Sequence, residues 1–235
     1  MTLAMERDPR PNETSPRSAR FARVLALGLS LSMASVAGAA SGDESHGDPT
    51  WRWEVAALAG AVQLDDHLAD YQWDVRPRAA WGWEATIGRS RLAGGVRMWT
   101  STTRQSLDPT VASASPLVRS TSLEMVARGR LAEGWGSRLM ATAAGGWLHL
   151  GYDPDQLEVD GGAGPVTVDL KPIDTWVTGG GLGVERWLGG RWLAGLEMEH
   201  RVFDLSAAHQ SGGTTVVGRE RFGDWNARLR LARSF

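Results

Sequence analysis

The feature that most constrains this chain is a period-two alternation of apolar and polar residues that recurs, segment after segment, down to the last residue. In YQWDVRPRAAWGWEATIG, Trp73, Val75, Pro77, Ala79, Trp81, Trp83, Ala85 and Ile87 share one parity. Gln72, Asp74, Arg76, Arg78, Gly82, Glu84 and Thr86 share the other. Successive side chains of a strand point to opposite faces, so this pattern predicts strands with two chemically different faces. Beyond Gly42 no segment carries an apolar stripe of period 3.6 over three turns, and the expected fold class is all-β.

Read this way, the chain divides into eight segments: Trp51 to Gln63, Tyr71 to Gly88, Arg91 to Thr103, Arg119 to Ala132, Arg138 to Tyr152, Thr175 to Leu188, Trp192 to Asp204, and Phe222 to Phe235. The second and third are joined by little more than Arg89-Ser90, the fourth and fifth by EGWGS, the sixth and seventh by GGR. The other connections are long and polar: LDDHLAD, RQSLDPTVASASPLV, DPDQLEVDGGAGPVTVDLKPID, and Leu205 to Arg221. Alternating short and long connections predict an eight-stranded antiparallel up-and-down transmembrane β-barrel, with short periplasmic turns and long extracellular loops. Closure removes both sheet edges and satisfies the backbone, as lipid requires.

The two parities then take different roles. Tryptophan prefers the bilayer interface, and ten of the twelve lie near an expected strand end. Trp51, Trp53, Trp135, Trp187 and Trp192 fall toward the short turns; Trp73, Trp99, Trp147, Trp176 and Trp225 fall toward the long loops. Two aromatic girdles are expected. The polar parity offers Glu54, Asp74, Glu84, Glu124, Glu185, Glu197, Glu199 and Asp224 against Arg52, Arg76, Arg78, Arg97, Arg128, Arg130, Arg201, Arg228 and Arg230. An eight-stranded interior is just wide enough for side chains to fill, and buried charges must be paired. These residues are expected to form a lumen ion-pair network that plugs the barrel. Gly94, Gly145, Gly146 and Gly179-Gly180-Gly181 are expected to let the chain bend and long arginines pass.

Composition excludes several alternatives. With a net charge of -2 nothing suggests a nucleic-acid partner, and with no cysteine there is no disulfide, thiol catalysis or cysteine-based metal site. Arg10, Arg17, Arg20 and Arg23 precede the apolar run VLALGLSLSMASV and the small residues AGAA. That is the order of a cleaved export signal, too short to span a membrane as a helix. The expected division is a signal over residues 1–40, a short acidic segment over 41–50, and a barrel over 51–235.

The signal, the eight alternating strands, the order of turns and loops, and the closing DWNARLRLARSF together resemble the small eight-stranded outer-membrane β-barrels of Gram-negative bacteria, the OmpA and OmpX type. The resemblance implies location in the outer membrane, contact with its lipid and lipopolysaccharide, and insertion by the barrel-assembly machinery. In that family the last strand ends in an aromatic residue and is read as an assembly signal, a role it implies here for Trp225, Ala227, Leu229, Leu231 and Phe235. Arg233 departs from that pattern by placing a charge on the apolar parity.

Patterns that carry chemistry are sparse in this chain. Deacylases among small barrels carry His-x-Ser with a glutamate on the outer wall, since residues i and i+2 share a strand face. Here His200 is followed by Val202, and His149 by Gly151. Asp153, Asp155, Glu158 and Asp160 cluster in one loop, but Leu157 and Glu158 stand where a calcium loop needs a ligand and a glycine. GGGLGVERW lacks the Lys-Ser/Thr of a phosphate loop. No catalytic residue, metal or cofactor is expected. The expected role is structural, or surface interaction through the long loops. A narrow pore, a lipid-modifying enzyme and a soluble barrel with its apolar parity inward are the alternatives.

Overall fold

The computed structural model describes residues 51–89, 91–107, 115–160, 164–211 and 214–235. The expected signal, the acidic segment after it and the centre of the second long loop lie outside the described residues.

Eight strands close into an antiparallel barrel: β1 (Arg52–Leu64), β2 (Arg78–Arg89), β3 (Leu92–Arg104), β4 (Leu117–Gly134), β5 (Ser137–Asp153), β8 (Ile173–Gly189), β9 (Trp192–Ser211) and β10 (Thr214–Ser234). Between β5 and β8, the strands β6 (Gln156–Asp160) and β7 (Pro165–Asp169) form a separate hairpin. Each barrel strand pairs with its neighbours in sequence, apart from that hairpin, and β10 pairs with β1 from Glu54↔Ser234 to Leu64↔Asp224. At the short-turn end, backbone bonds tie the ring further: Arg130 N–H donates to Arg91 O at 2.8 Å, Ser234 to Arg191 O at 2.8 Å, and Phe235 to Trp53 O at 2.8 Å. The turn Trp135-Gly136 has both residues at positive φ (53° and 72°), the twist that matches a two-residue hairpin loop.

Three elements differ from the sequence expectation, all at the long-loop end. The second strand begins at Arg78 and not at Tyr71, because Asp66–Tyr71 is a 3-10 helix. Asp65 caps it by accepting from His67 N–H at 3.0 Å, and its Leu68 is buried. Pro77, without an N–H, cannot extend a ladder there. The last connection is shorter than expected, because β9 and β10 continue as a paired ribbon out to Ser211↔Thr214. TTVV is rich in β-branched residues and favours strand. The third long loop contains QLEVD and PVTVD, each alternating, which pair as β6–β7.

The charged parity faces in and the apolar parity faces out, contrary to what a soluble barrel with an apolar interior requires. Leu123, Met125, Leu131, Leu182, Leu188, Leu229 and Leu231 are all exposed on the outer wall. Inside, Gly179 makes room for arginine, since a Cβ there would stand 2.8 Å from Cγ of Arg201. Gly146 lets two strands approach, its added Cβ meeting Leu123 O at 2.1 Å. Gly94, Gly145 and Gly180 correct the expectation: they lie on the outward parity, where an added Cβ meets nothing closer than 3.5 Å, and give no room to arginines.

Candidate functional site

The lumen holds one continuous chain of charge. Near the short turns, Arg138 bonds Glu54 at 3.0 Å and Glu185 at 2.6 Å, and Arg230 bonds Glu54 at 3.0 Å, Glu84 at 3.1 Å and Glu185 at 2.9 Å. Arg128 joins Glu84 at 2.8 Å and Glu185 at 2.7 Å, and reaches Glu197 at 3.4 Å. Glu197 continues to Arg228 at 3.0 Å, and Glu199 is held by both Arg228 and Arg97. Arg97 also pairs with Glu124, which bonds Arg201 at 2.8 Å; Arg201 then forks onto Asp224 at 2.6 and 2.9 Å. Each strand contributes through its inward parity. Six arginines face seven carboxylates, a near balance that lets charges this deep exist at all.

Five expected lumen residues, Arg52, Asp74, Arg76, Arg78 and Arg130, lie outside this network. Arg52 is exposed at the mouth, with no ion pair among the described residues. Arg76 and Arg78 sit at the other end and share Asp74. Arg130 keeps the inward register opposite Met140, but it lies at the turn end of β4 and pairs there with Glu133. Arg138 was missed, although parity counted back along β5 from Leu148 finds it.

Tryptophan also divides. Trp51, Trp53, Trp135 and Trp192 are exposed at the short-turn end, and Trp147, Trp176 and Trp225 toward the loops, with Trp81 and Trp83 between. Trp99 is a correction: it is 1% exposed inside the barrel, where its Nε1–H donates to Asn226 Oδ1 at 2.8 Å and Arg228 lies over its ring. Trp99 shares parity with Arg97, so residue type misled where period did not. Trp187 shares inward parity with Glu185 and packs partly buried beneath Arg138. Trp73 lies outside the strands, against the apolar cap. None of these three belongs to an outer girdle. Phe235 is outward and exposed, and Arg233 lies over both its ring and that of Trp192, at 5.2 and 5.8 Å. The rings thus accommodate the charge that departed from the apolar pattern.

Above the charged layer the lumen turns apolar. Val118, Leu148, Leu150, Val177, Phe203, Leu205 and Phe222 form a cluster that Leu68 of the 3-10 helix closes from above. A cleft lined by Val62, Trp73, Leu148 and Phe203 separates this cap from Asp224. Outside the strands, hydrogen bonds from Arg76, with Arg78 adding its charge, hold the Asp74 carboxyl well below the usual aspartate range. On the outer wall, His149 Nδ1 lies 2.8 Å from Asp174 Oδ1, which also accepts from Trp147 Nε1–H at 3.0 Å. His200 lies against Trp225 in a tilted contact, with ring centroids 4.7 Å apart.

No protein-family model and no curated protein matches this chain. Solved structures that align with it include outer membrane protein W of Escherichia coli, at 15% identity over 81% of this chain and 100% of that one, with a TM-score of 0.45. Ail, the attachment invasion locus protein of Yersinia pestis, solved with the heparin analogue sucrose octasulfate, aligns at 8% identity over 79% and 99%, TM-score 0.43. The outer membrane protein OprG of Pseudomonas aeruginosa aligns at 10% over 80% and 98%, TM-score 0.42. The likeness is slight in sequence and loose in shape.

Proposed function

We propose that this chain is an integral outer-membrane β-barrel with a plugged lumen, and that its role is structural or one of surface interaction through the long-loop end. One observation carries the reading: a closed barrel whose interior is filled by paired charge and whose outer wall is apolar and rimmed with tryptophan. In water that arrangement is inverted, exposing an apolar wall and burying ions. In a bilayer it is the arrangement that satisfies both faces. Lipid and lipopolysaccharide are then its immediate surroundings, residues 1–40 its export signal, and Trp225, Ala227, Leu229, Leu231 and Phe235 the strand read during assembly. The protruding β9–β10 ribbon, the β6–β7 hairpin and the 3-10 cap are the surfaces available to an external partner.

A planar-bilayer recording of the refolded protein tests the plug. Silent bilayers over long recordings are expected. Discrete single-channel steps at neutral pH would instead establish the narrow pore.

A further inference from the structure

The short-turn rim carries charge that the plugged barrel does not use. Arg52, Arg89, Arg91, Arg186, Arg191 and Arg233 are all exposed there, and among the described residues no carboxylate pairs with any of them. Glu133 is the one exposed acidic side chain among the described residues of this rim, and it is occupied by Arg130. Backbone bonds from Arg130 to Arg91 and from Ser234 to Arg191 bring the turns that carry these arginines into one ring. Trp51, Trp53, Trp135, Trp192 and Phe235 are exposed at the same height. The opposite end carries both signs, with Arg76, Arg104, Arg119, Lys171 and Arg221 among a larger number of acids. There Asp65, Asp66, Asp70, Asp153, Asp155 and Asp169 crowd the loops.

We propose that this rim is a docking surface for the anionic headgroups of phospholipids in the leaflet on the short-turn side, the arginines taking phosphate oxygens while the tryptophans lie at headgroup level. The proposal rests on the membrane-barrel reading. Six like charges on one ring repel each other, and an anionic surface relieves that repulsion. Guanidinium groups suit phosphate because their fork of donors matches it in a bidentate way. Aromatic rings at the same height fix the depth at which the arginines meet the headgroups. A free polyanion in solution would need the arginines but not the ring of exposed tryptophan, and the two occur together.

The test uses the full barrel refolded into phosphatidylcholine vesicles doped with either brominated phosphatidylglycerol or brominated phosphatidylcholine, with quenching of tryptophan fluorescence as the readout. The expected result is a preference for phosphatidylglycerol of about fivefold or more, the effect of one well-placed basic residue. In the variant Arg89→Gln/Arg91→Gln/Arg186→Gln/Arg191→Gln the preference falls toward one, whereas Arg104→Gln/Arg119→Gln at the other end keeps it. Should the fourfold variant not fold, the wild-type protein decides alone: 0.5 M NaCl must erase the preference. Equal quenching by both lipids in the wild type overturns the proposal, as does a preference unmoved by the rim variant. Loss of the preference to millimolar inorganic phosphate at constant ionic strength assigns the rim to a small anion and overturns it too. Failure to insert into neutral vesicles at all is a different failure, and it removes the membrane-barrel reading beneath.

Discussion

At the scale of single residues, the lumen is held by pairings that cannot be broken one side at a time. Glu199 sits between Arg97 and Arg228 and is fully buried. Glu199→Gln leaves two guanidinium groups short of a counter-charge, and should destabilise the barrel by about 3–5 kcal/mol in urea unfolding from detergent micelles. Replacing Arg97, Glu199 and Arg228 together by apolar residues of similar volume should restore much of that. Trp99 and Trp176 make a second contrast. Trp99→Phe removes the bond to Asn226 inside the barrel and should cost about 1–3 kcal/mol. Trp176→Phe, at an outer-wall side chain that is 65% exposed, should cost much less by the same measurement. Asp74 adds a pH dependence. Its pKa is depressed in the folded protein, so its contribution is present above the unfolded aspartate value near pH 4 and lost only as pH falls through the lower folded value. An NMR titration should show the Asp74 carboxylate still ionised at pH 3.5, and Arg76→Gln/Arg78→Gln should move its midpoint up.

At the scale of elements, the closing strand completes the ring by pairing with the first. β10 pairs with β1 over its C-terminal half, Asp224 to Ser234, and Leu229, Leu231 and the following Phe235 face outward. Phe235→Ala removes no lumen contact, so it should lower the amount of folded barrel recovered from membranes in cells while leaving refolding into detergent almost unchanged. Equal loss in both settings would make Phe235 a packing residue and not an assembly signal. The strands themselves were legible because period two is a local property: parity alone placed Arg97, Glu124, Glu199, Arg201 and Arg228 on one face, and the fold links them by ion pairs. What lay hidden was set by tertiary context. The extension of β9 and β10 depends on each strand pairing with the other beyond the barrel wall. Trp187 and Trp99 were assigned by residue type, and the inward space that receives them exists only after closure. The cap over the lumen needs Leu68 to meet Phe203 and Phe222 from distant strands, which no local pattern reports.

At the scale of the whole molecule, the account is that one side of the sheet solves the problem of lipid and the other the problem of charge, and that only closure lets both solutions coexist. An open sheet would expose the ion network to hydrocarbon, and a soluble barrel would expose the apolar wall to water. The two ends differ in charge, so the barrel has a direction as well as a fold. The most direct measurement is electrophoretic heat-modifiability of the protein expressed with residues 1–40 and recovered from outer membranes. The account predicts that the protein sediments with that membrane, resists alkaline extraction, and migrates differently before and after boiling in SDS. A protein found in the soluble periplasmic fraction, with a mobility indifferent to boiling, would contradict it.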